Sequence, residues 1–187
     1  MLDLLQGAGI AAGVGISPFL PVIVAGVLAM ADLGLDFEGT DFAFLEEPWF
    51  LLLMLVLLVV SLVVRRREIP PMVWMLLAVA VVLGALQGAA SLADRDHPIV
   101  PGIVAGALAA ALGFYAARSL FGRVRARLDR DAQAAVPVYT EGAAASAAGL
   151  SILFPPLAVL VIAALVWLLL GGRRRAGEKY AGLRILR

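Results

Sequence analysis

The chain has 187 residues, of which 63% are hydrophobic and 16% charged, and its mean hydropathy is +0.99. Soluble domains carry roughly 25% charged residues, so this composition points to an integral membrane protein and away from a soluble enzyme. The absence of cysteine excludes disulfides and thiolate metal sites, and a single histidine leaves no histidine cluster for zinc. The net charge of +1 conceals strong segregation, which becomes visible along the chain.

Segment one runs from about Leu2 to Ala31. As one straight helix it would be roughly 45 Å long, against a hydrocarbon core of about 30 Å. Ser17-Pro18-Phe19-Leu20-Pro21 falls at its middle, so it is either a kinked span or a re-entrant pair of half-helices. Its start, Met1-Leu-Asp-Leu-Leu-Gln6, has no basic residue, which argues against a cleaved leader. An acidic loop follows over residues 32–47. Segment two, Trp49 to Val64, is a clean apolar helix stopped by Arg65-Arg66-Arg67. Segment three runs from Pro71 to about Ser91 and segment four from Pro98 to about Phe121, each with proline where a first turn tolerates it. Residues 122–136 read as a basic interfacial helix. Segment five, about Thr140 to Leu170, is again over-long and is broken at Phe154-Pro155-Pro156. The expected fold is an all-α bundle with three clear transmembrane helices and two proline-broken, re-entrant terminal segments. The membrane domain then covers residues 1–172, and 173–187 form a basic tail.

The prolines belong to an internal repeat. Pro18-Phe-Leu-Pro-Val-Ile-Val-Ala-Gly26 returns as Pro98-Ile-Val-Pro-Gly-Ile-Val-Ala-Gly106, with six of nine letters identical. A looser copy begins at Phe154. Gln6-Gly-Ala, Gln87-Gly-Ala and Glu141-Gly-Ala precede the three copies. Interrupted helices in corresponding positions of repeated halves are a feature of transporters, where freed backbone groups line a site.

Arginine-rich loops stay on the cytoplasmic side. The rule puts the acidic loop 32–47 outside and the Arg65–Arg67 and Arg118–Arg130 clusters inside. If segment five crossed once, Arg173–Arg175 would emerge outside; if it dips in and returns, the tail stays inside, at the anionic leaflet. The expected location is therefore the bacterial plasma (inner) membrane.

Three stretches carry a resemblance. Ala11-Ala-Gly-Val-Gly-Ile-Ser-Pro-Phe-Leu-Pro21, Glu47-Pro-Trp49 and Pro137-Val-Tyr-Thr-Glu141, with the order and spacing of the segments, resemble the DUF4126 family of small bacterial membrane proteins. The resemblance implies the multi-pass architecture rather than a defined activity. The chain departs from the family pattern where Arg66-Arg67-Glu68-Ile69-Pro70 replaces an Asp-Lys-Ile-Pro-like run and Ser61 replaces a carboxylate. A proton- or ion-linked role for those family carboxylates does not carry over here.

The candidate path residues are Gln6, Ser17, Pro18, Pro21, Gln87, Glu141, Ser146, Pro155 and Pro156. Glu141 is the foremost, because a carboxylate near the start of a membrane-embedded helix can bind a cation, relay a proton or simply favour the helix dipole. Equivalence in the repeat suggests that Gln6, Gln87 and Glu141 converge. Gly9 and Gly13, Gly102 and Gly106, and Ala145 and Gly149 have the four-residue spacing that lets helices approach closely in lipid. His97 is a loop residue, and Trp49, Trp74 and Trp167 suit an interfacial aromatic belt. No catalytic constellation, phosphate loop or nucleic-acid module is present, so no enzyme activity and no cofactor are expected. The readings left are a small transporter or channel for an ion, solute or lipid-like molecule, or a membrane scaffold that binds itself or another membrane protein.

Overall fold

A computed structural model describes the backbone of residues 1–65, 70–95 and 97–181, with side chains for these except 64–65, 70–71, 130–131 and 172–181. Arg66 to Ile69, Asp96 and the tail beyond Ala181 lie outside the described residues. The helices are α1 (Leu2–Ile16), α2 (Leu20–Met30), α3 (Pro48–Arg65), α4 (Pro70–Ala93), α5 (Val100–Arg125), the short α6 (Arg130–Gln133), α7 (Val136–Leu153) and α8 (Leu157–Ala181). One 3-10 turn covers Ala43–Leu45, and there is no strand among the described residues.

Glycine decides how this bundle closes, and α1 is its axis. Gly7 lies against Gly88 and Ser91 of α4, Gly9 against Ser151 and Ala158, Gly13 against Ala144 and Ala148 of α7, and Gly15 against Ala110 and Phe114 of α5. With little side chain in the way, backbones meet almost directly and dispersion contacts accumulate. Across the α4–α5 crossing, Gly88 abuts Gly102 and Gly84 abuts Gly106. A larger core of Ile10, Val14, Val22, Phe37, Leu45 and Ile152 fills the space among α1, α2, α3 and α7.

These contacts fix the direction of every helix. α1 runs antiparallel to α7, since Gly9 faces Ser151 and Gly13 faces Ala144. The chain then breaks at Ser17–Phe19 and α2 runs back along α7, bringing Val24 to 3.9 Å from the Cβ position of Gly149. Segment one is therefore a helical hairpin, not a kinked rod. Segment five behaves likewise. After Phe154–Pro156, α8 sets Ala158 beside Gly9 and Leu165 among Ala11, Ala12 and Ala116, so it returns along α1. The first hairpin turns beside Glu141 and the second beside Gln6, so the two enter the bundle from opposite ends.

One end is acidic, holding Asp3, the 31–47 connection, Asp94, Arg95 and His97. The other holds the end of α3, the Arg123–Arg127 stretch and the starts of α4 and α7. The acidic connection is not a loose loop. Leu35, Phe37 and Leu45 are buried from it, and Thr40 Oγ1 donates to the Phe37 carbonyl at 2.8 Å.

Several expectations need correction. Among the described residues Met72–Ala93 and Val100–Arg125 are long and apolar enough to cross a membrane, and the described stretch of α3, Pro48–Val63, is a shorter apolar helix. The α5 helix opens at Val100 with Pro101 in its first turn, leaving Pro98 in the preceding turn. Segment five starts at Val136, with Pro137 in its first turn, rather than near Thr140. Residues 122–136 do not form one interfacial helix: α5 runs to Arg125, and only the four residues of α6 are helical after the turn. The backbone of α8 continues past residue 172 to Ala181.

Candidate functional site

At the tip of the first hairpin the chain must turn without leaving polar backbone exposed. Ser17 N–H closes α1 on the Gly13 carbonyl at 3.1 Å, and Ile23 N–H reaches the Phe19 carbonyl at 3.1 Å. Pro21 stands in the first turn of α2, where its missing N–H costs nothing. Ser17, Pro18 and Pro21 are all buried. The Ser17 hydroxyl then donates to Glu141 Oε1 at 2.7 Å, a buried contact across 124 residues of sequence. Glu141 is only 8% exposed and lies in the second turn of α7. The hairpin tip is thus latched to a carboxylate of the other terminal segment.

A second polar contact lies at the other end of the α1–α7 pair. Gln6 Nε2 donates to the Gly34 carbonyl at 2.7 Å and to the Ile152 carbonyl at 3.1 Å. One amide therefore ties the root of α1, the exit of α2 and the last turn of α7. Gly34 is required there twice over: its φ of +81° suits glycine, and a Cβ would come within 2.9 Å of the Ile152 carbonyl.

Gln6 and Ser17 are eleven residues apart on α1, about 16 Å along its axis. The structure therefore does not gather Gln6 and Glu141 into one site. Gln87 is a third, separate case. It is fully buried on α4, on the face that carries Gly84 and Ser91, and neither its Nε2 nor its Oε1 has a hydrogen-bond partner among the described residues. The repeat placed three similar residues on three helices, but α1 and α7 run antiparallel and so carry their copies to opposite ends.

Ser146 faces outward from α7, away from any interior path. Pro155 is half-buried and Pro156 exposed, at the turn of the second hairpin. Gly9, Gly13, Gly102 and Gly106 face their neighbouring helices in close contact, whereas Ala145 and Gly149 are only partly buried and pack more loosely.

Beside the Ser17–Glu141 contact a groove of about 500 Å³ opens at the basic end. Leu20 of the hairpin tip, Leu58 and Leu62 of α3, and Ala134, Pro137, Val138 and Gly142 around the start of α7 line it, with Glu141 as the one ionisable lining residue among those described. Sequence reading missed these leucines because they sit in a uniformly apolar helix with no signal separating groove from lipid face. It also missed the Gly34 and Ile152 carbonyls, for which the glycine just past the end of α2 was the only hint.

At the acidic end Arg95 lies 3.8 Å from Asp3 and 3.5 Å from Asp94, and His97 Nε2 is 3.8 Å from Asp3. Burial raises the Asp94 carboxyl above its ordinary range, with Arg95 opposing. Among the described residues no group of acidic or histidine side chains is placed to hold a metal. No known protein family, curated protein or solved structure matches this chain.

Proposed function

We propose that this chain is a multi-pass protein of the bacterial plasma membrane, the architecture the DUF4126 resemblance implies, and that it works as a small transporter or channel. The observation that carries most weight is the buried Ser17–Glu141 hydrogen bond. It joins the tip of one proline-broken hairpin to a carboxylate on another, beside a groove, and interrupted helices facing polar residues are how transporters build their sites. The outer faces support a lipid setting. Leu52, Leu55, Val56, Val59 and Val63 of α3, Leu108 of α5, and Leu160 and Trp167 of α8 are exposed. Exposed Trp49 stands near the acidic end and exposed Trp74 and Trp167 toward the basic end, as an aromatic belt would have it. Two oppositely directed hairpins also bring the ends of α3, α5 and α8 together, opposite the acidic connection. In this reading that end is cytoplasmic, with the acidic connection outside, and no catalytic step is assigned.

The test is reconstitution into proteoliposomes, with ion-sensitive dyes, encapsulated small solutes and fluorescent lipids as cargo. Glu141→Ala should insert normally and lose at least about tenfold in flux, while Glu141→Gln, which keeps an acceptor for Ser17, should retain the fold. Unchanged flux in a correctly inserted Glu141→Ala protein would remove Glu141 from the path. A rival reading is a scaffold that pairs with itself or with another membrane protein. The outward-facing Gly142, Ala143 and Ser146 of α7 favour it, because a small-residue strip on a lipid-facing helix is a helix-pairing surface. A stable stoichiometric partner or dimer without any flux would favour the scaffold.

A further inference from the structure

We infer that the two terminal hairpins are inverted copies of one unit, and that the acidic 31–47 connection is a strap closing one end of it. The inference rests on the membrane reading above and adds a regulatory element to the path proposed there. The register of the two copies follows from their own hydrogen bonds. Gln6 and Ser17 stand eleven residues apart in the first copy, as Glu141 and Ile152 do in the second. The bonds run crosswise: Ser17 donates to Glu141, and Gln6 donates to the Ile152 carbonyl. The same register matches Phe19 with Phe154 and Pro21 with Pro156 in the two breaks. Each hairpin is therefore held beside its break by the first helix of the other, as a two-fold relation between copies requires.

Matched in this way, the two ends differ in what lies over them. Glu141 borders the groove at the basic end. Its counterpart Gln6 is buried, and its Nε2 also donates to the Gly34 carbonyl at 2.7 Å. Gly34 packs directly on Ile152, whose Cγ2 lies 3.3 Å from the glycine's Cβ position. Leu35, Phe37 and Leu45 anchor the rest of the connection in the core. The chain thus lays a strap over Gln6, at the place that corresponds to the groove beside Glu141. At its contact with Gln6 the strap is held by a single hydrogen bond and by the side chains behind it. Lifting it there leaves α1 and α7 helical, and local openings of that kind take less free energy than global unfolding.

The chain has no native cysteine, so single replacements report on each end. Ile152→Cys lies under the strap, and Leu20→Cys lines the groove. In proteoliposomes a small water-soluble methanethiosulfonate should label Leu20→Cys readily and Ile152→Cys slowly. Gln6→Asn keeps a buried amide but falls a methylene short of both carbonyls. It should speed labelling at Ile152→Cys about fivefold, the effect of one lost hydrogen bond, and leave Leu20→Cys unchanged. Leu35→Ala, which weakens the strap's anchor and spares Gln6, should act the same way. Unchanged labelling at Ile152→Cys in a folded variant of either kind overturns the strap. So does equal acceleration at both reporters, which marks a general loosening of the bundle. Flux is scored separately. Faster labelling under the strap without any flux upholds the strap and removes the transporter reading, whereas flux with unchanged labelling does the reverse.

Discussion

Buried polar side chains divide sharply here into satisfied and unsatisfied. Gln6 makes two hydrogen bonds to carbonyls on different elements, so Gln6→Leu should destabilise the bundle by about 1–3 kcal/mol, read as a lower unfolding midpoint in detergent. Gln87 is equally buried but its side-chain amide has no hydrogen-bond partner among the described residues, so Gln87→Leu should be neutral or stabilise by roughly 1 kcal/mol. Opposite signs for two glutamines in similar Gln-Gly-Ala contexts would show that geometry, not residue type, sets the energetics. A loss at Gln87 as large as that at Gln6 would overturn this. The acidic end adds a pH dependence. Burial raises the Glu46 carboxyl above its ordinary range, with the Phe37 backbone hydrogen bond opposing and Asp36, Glu38 and Asp32 adding to the rise. The folded state then holds that proton more tightly than the unfolded chain. Stability from this group is greatest below the ordinary carboxylate value and is lost as pH rises through the raised one. Thermal melts should show a small gain on mild acidification, and Glu46→Gln should abolish its share.

Elements in this protein are made by what their neighbours lack. A Cβ at Gly102 would collide with the Gly88 carbonyl, so Gly102→Val should separate α4 from α5 at a cost above about 2 kcal/mol. Gly142→Ala, with open space at its Cβ, should change stability by no more than about 0.5 kcal/mol beyond its gain in helix propensity. Both are measurable by unfolding in mixed micelles. How much of this was legible beforehand depended on the kind of signal. Over-length apolar runs with central prolines gave the two breaks within a few residues, because bilayer thickness and proline chemistry act locally. Whether a break kinks a rod or reverses the chain depends on Gly9 meeting Ser151 and Gly13 meeting Ala144, contacts separated by more than 130 residues. The site divided in the same way. Glu141 and Ser17 stood out as polar residues in apolar surroundings, but their pairing, and the separation of Gln6 from Glu141, follow from the antiparallel arrangement of α1 and α7. The groove leucines had no signal at all.

For the molecule as a whole, charge and direction coincide in part: the acidic 31–47 connection lies at one end and the Arg123–Arg127 stretch at the other. The absence of native cysteine makes this directly testable. Asp36→Cys and Arg127→Cys, introduced singly, should react with impermeant maleimide from opposite sides of oriented vesicles. Labelling of both from the same side would refute the arrangement. A paired replacement of Val24 and Gly149 by cysteine should also cross-link under mild oxidation, since these positions adjoin only if α2 folds back along α7.

The central place of α1 also bears on how the chain matures. It leaves the ribosome before α7, yet Gly9 and Gly13 face α7 and Ser17 finds its acceptor on Glu141. Until then the leading hairpin is a glycine-rich, weakly anchored pair with polar groups still seeking partners. Packing of the first hairpin therefore waits for the later α7–α8 hairpin to close on it. Nascent chains halted before residue 136 should remain open to protease and chaperone, and supplying residues 130–187 as a separate fragment should rescue them.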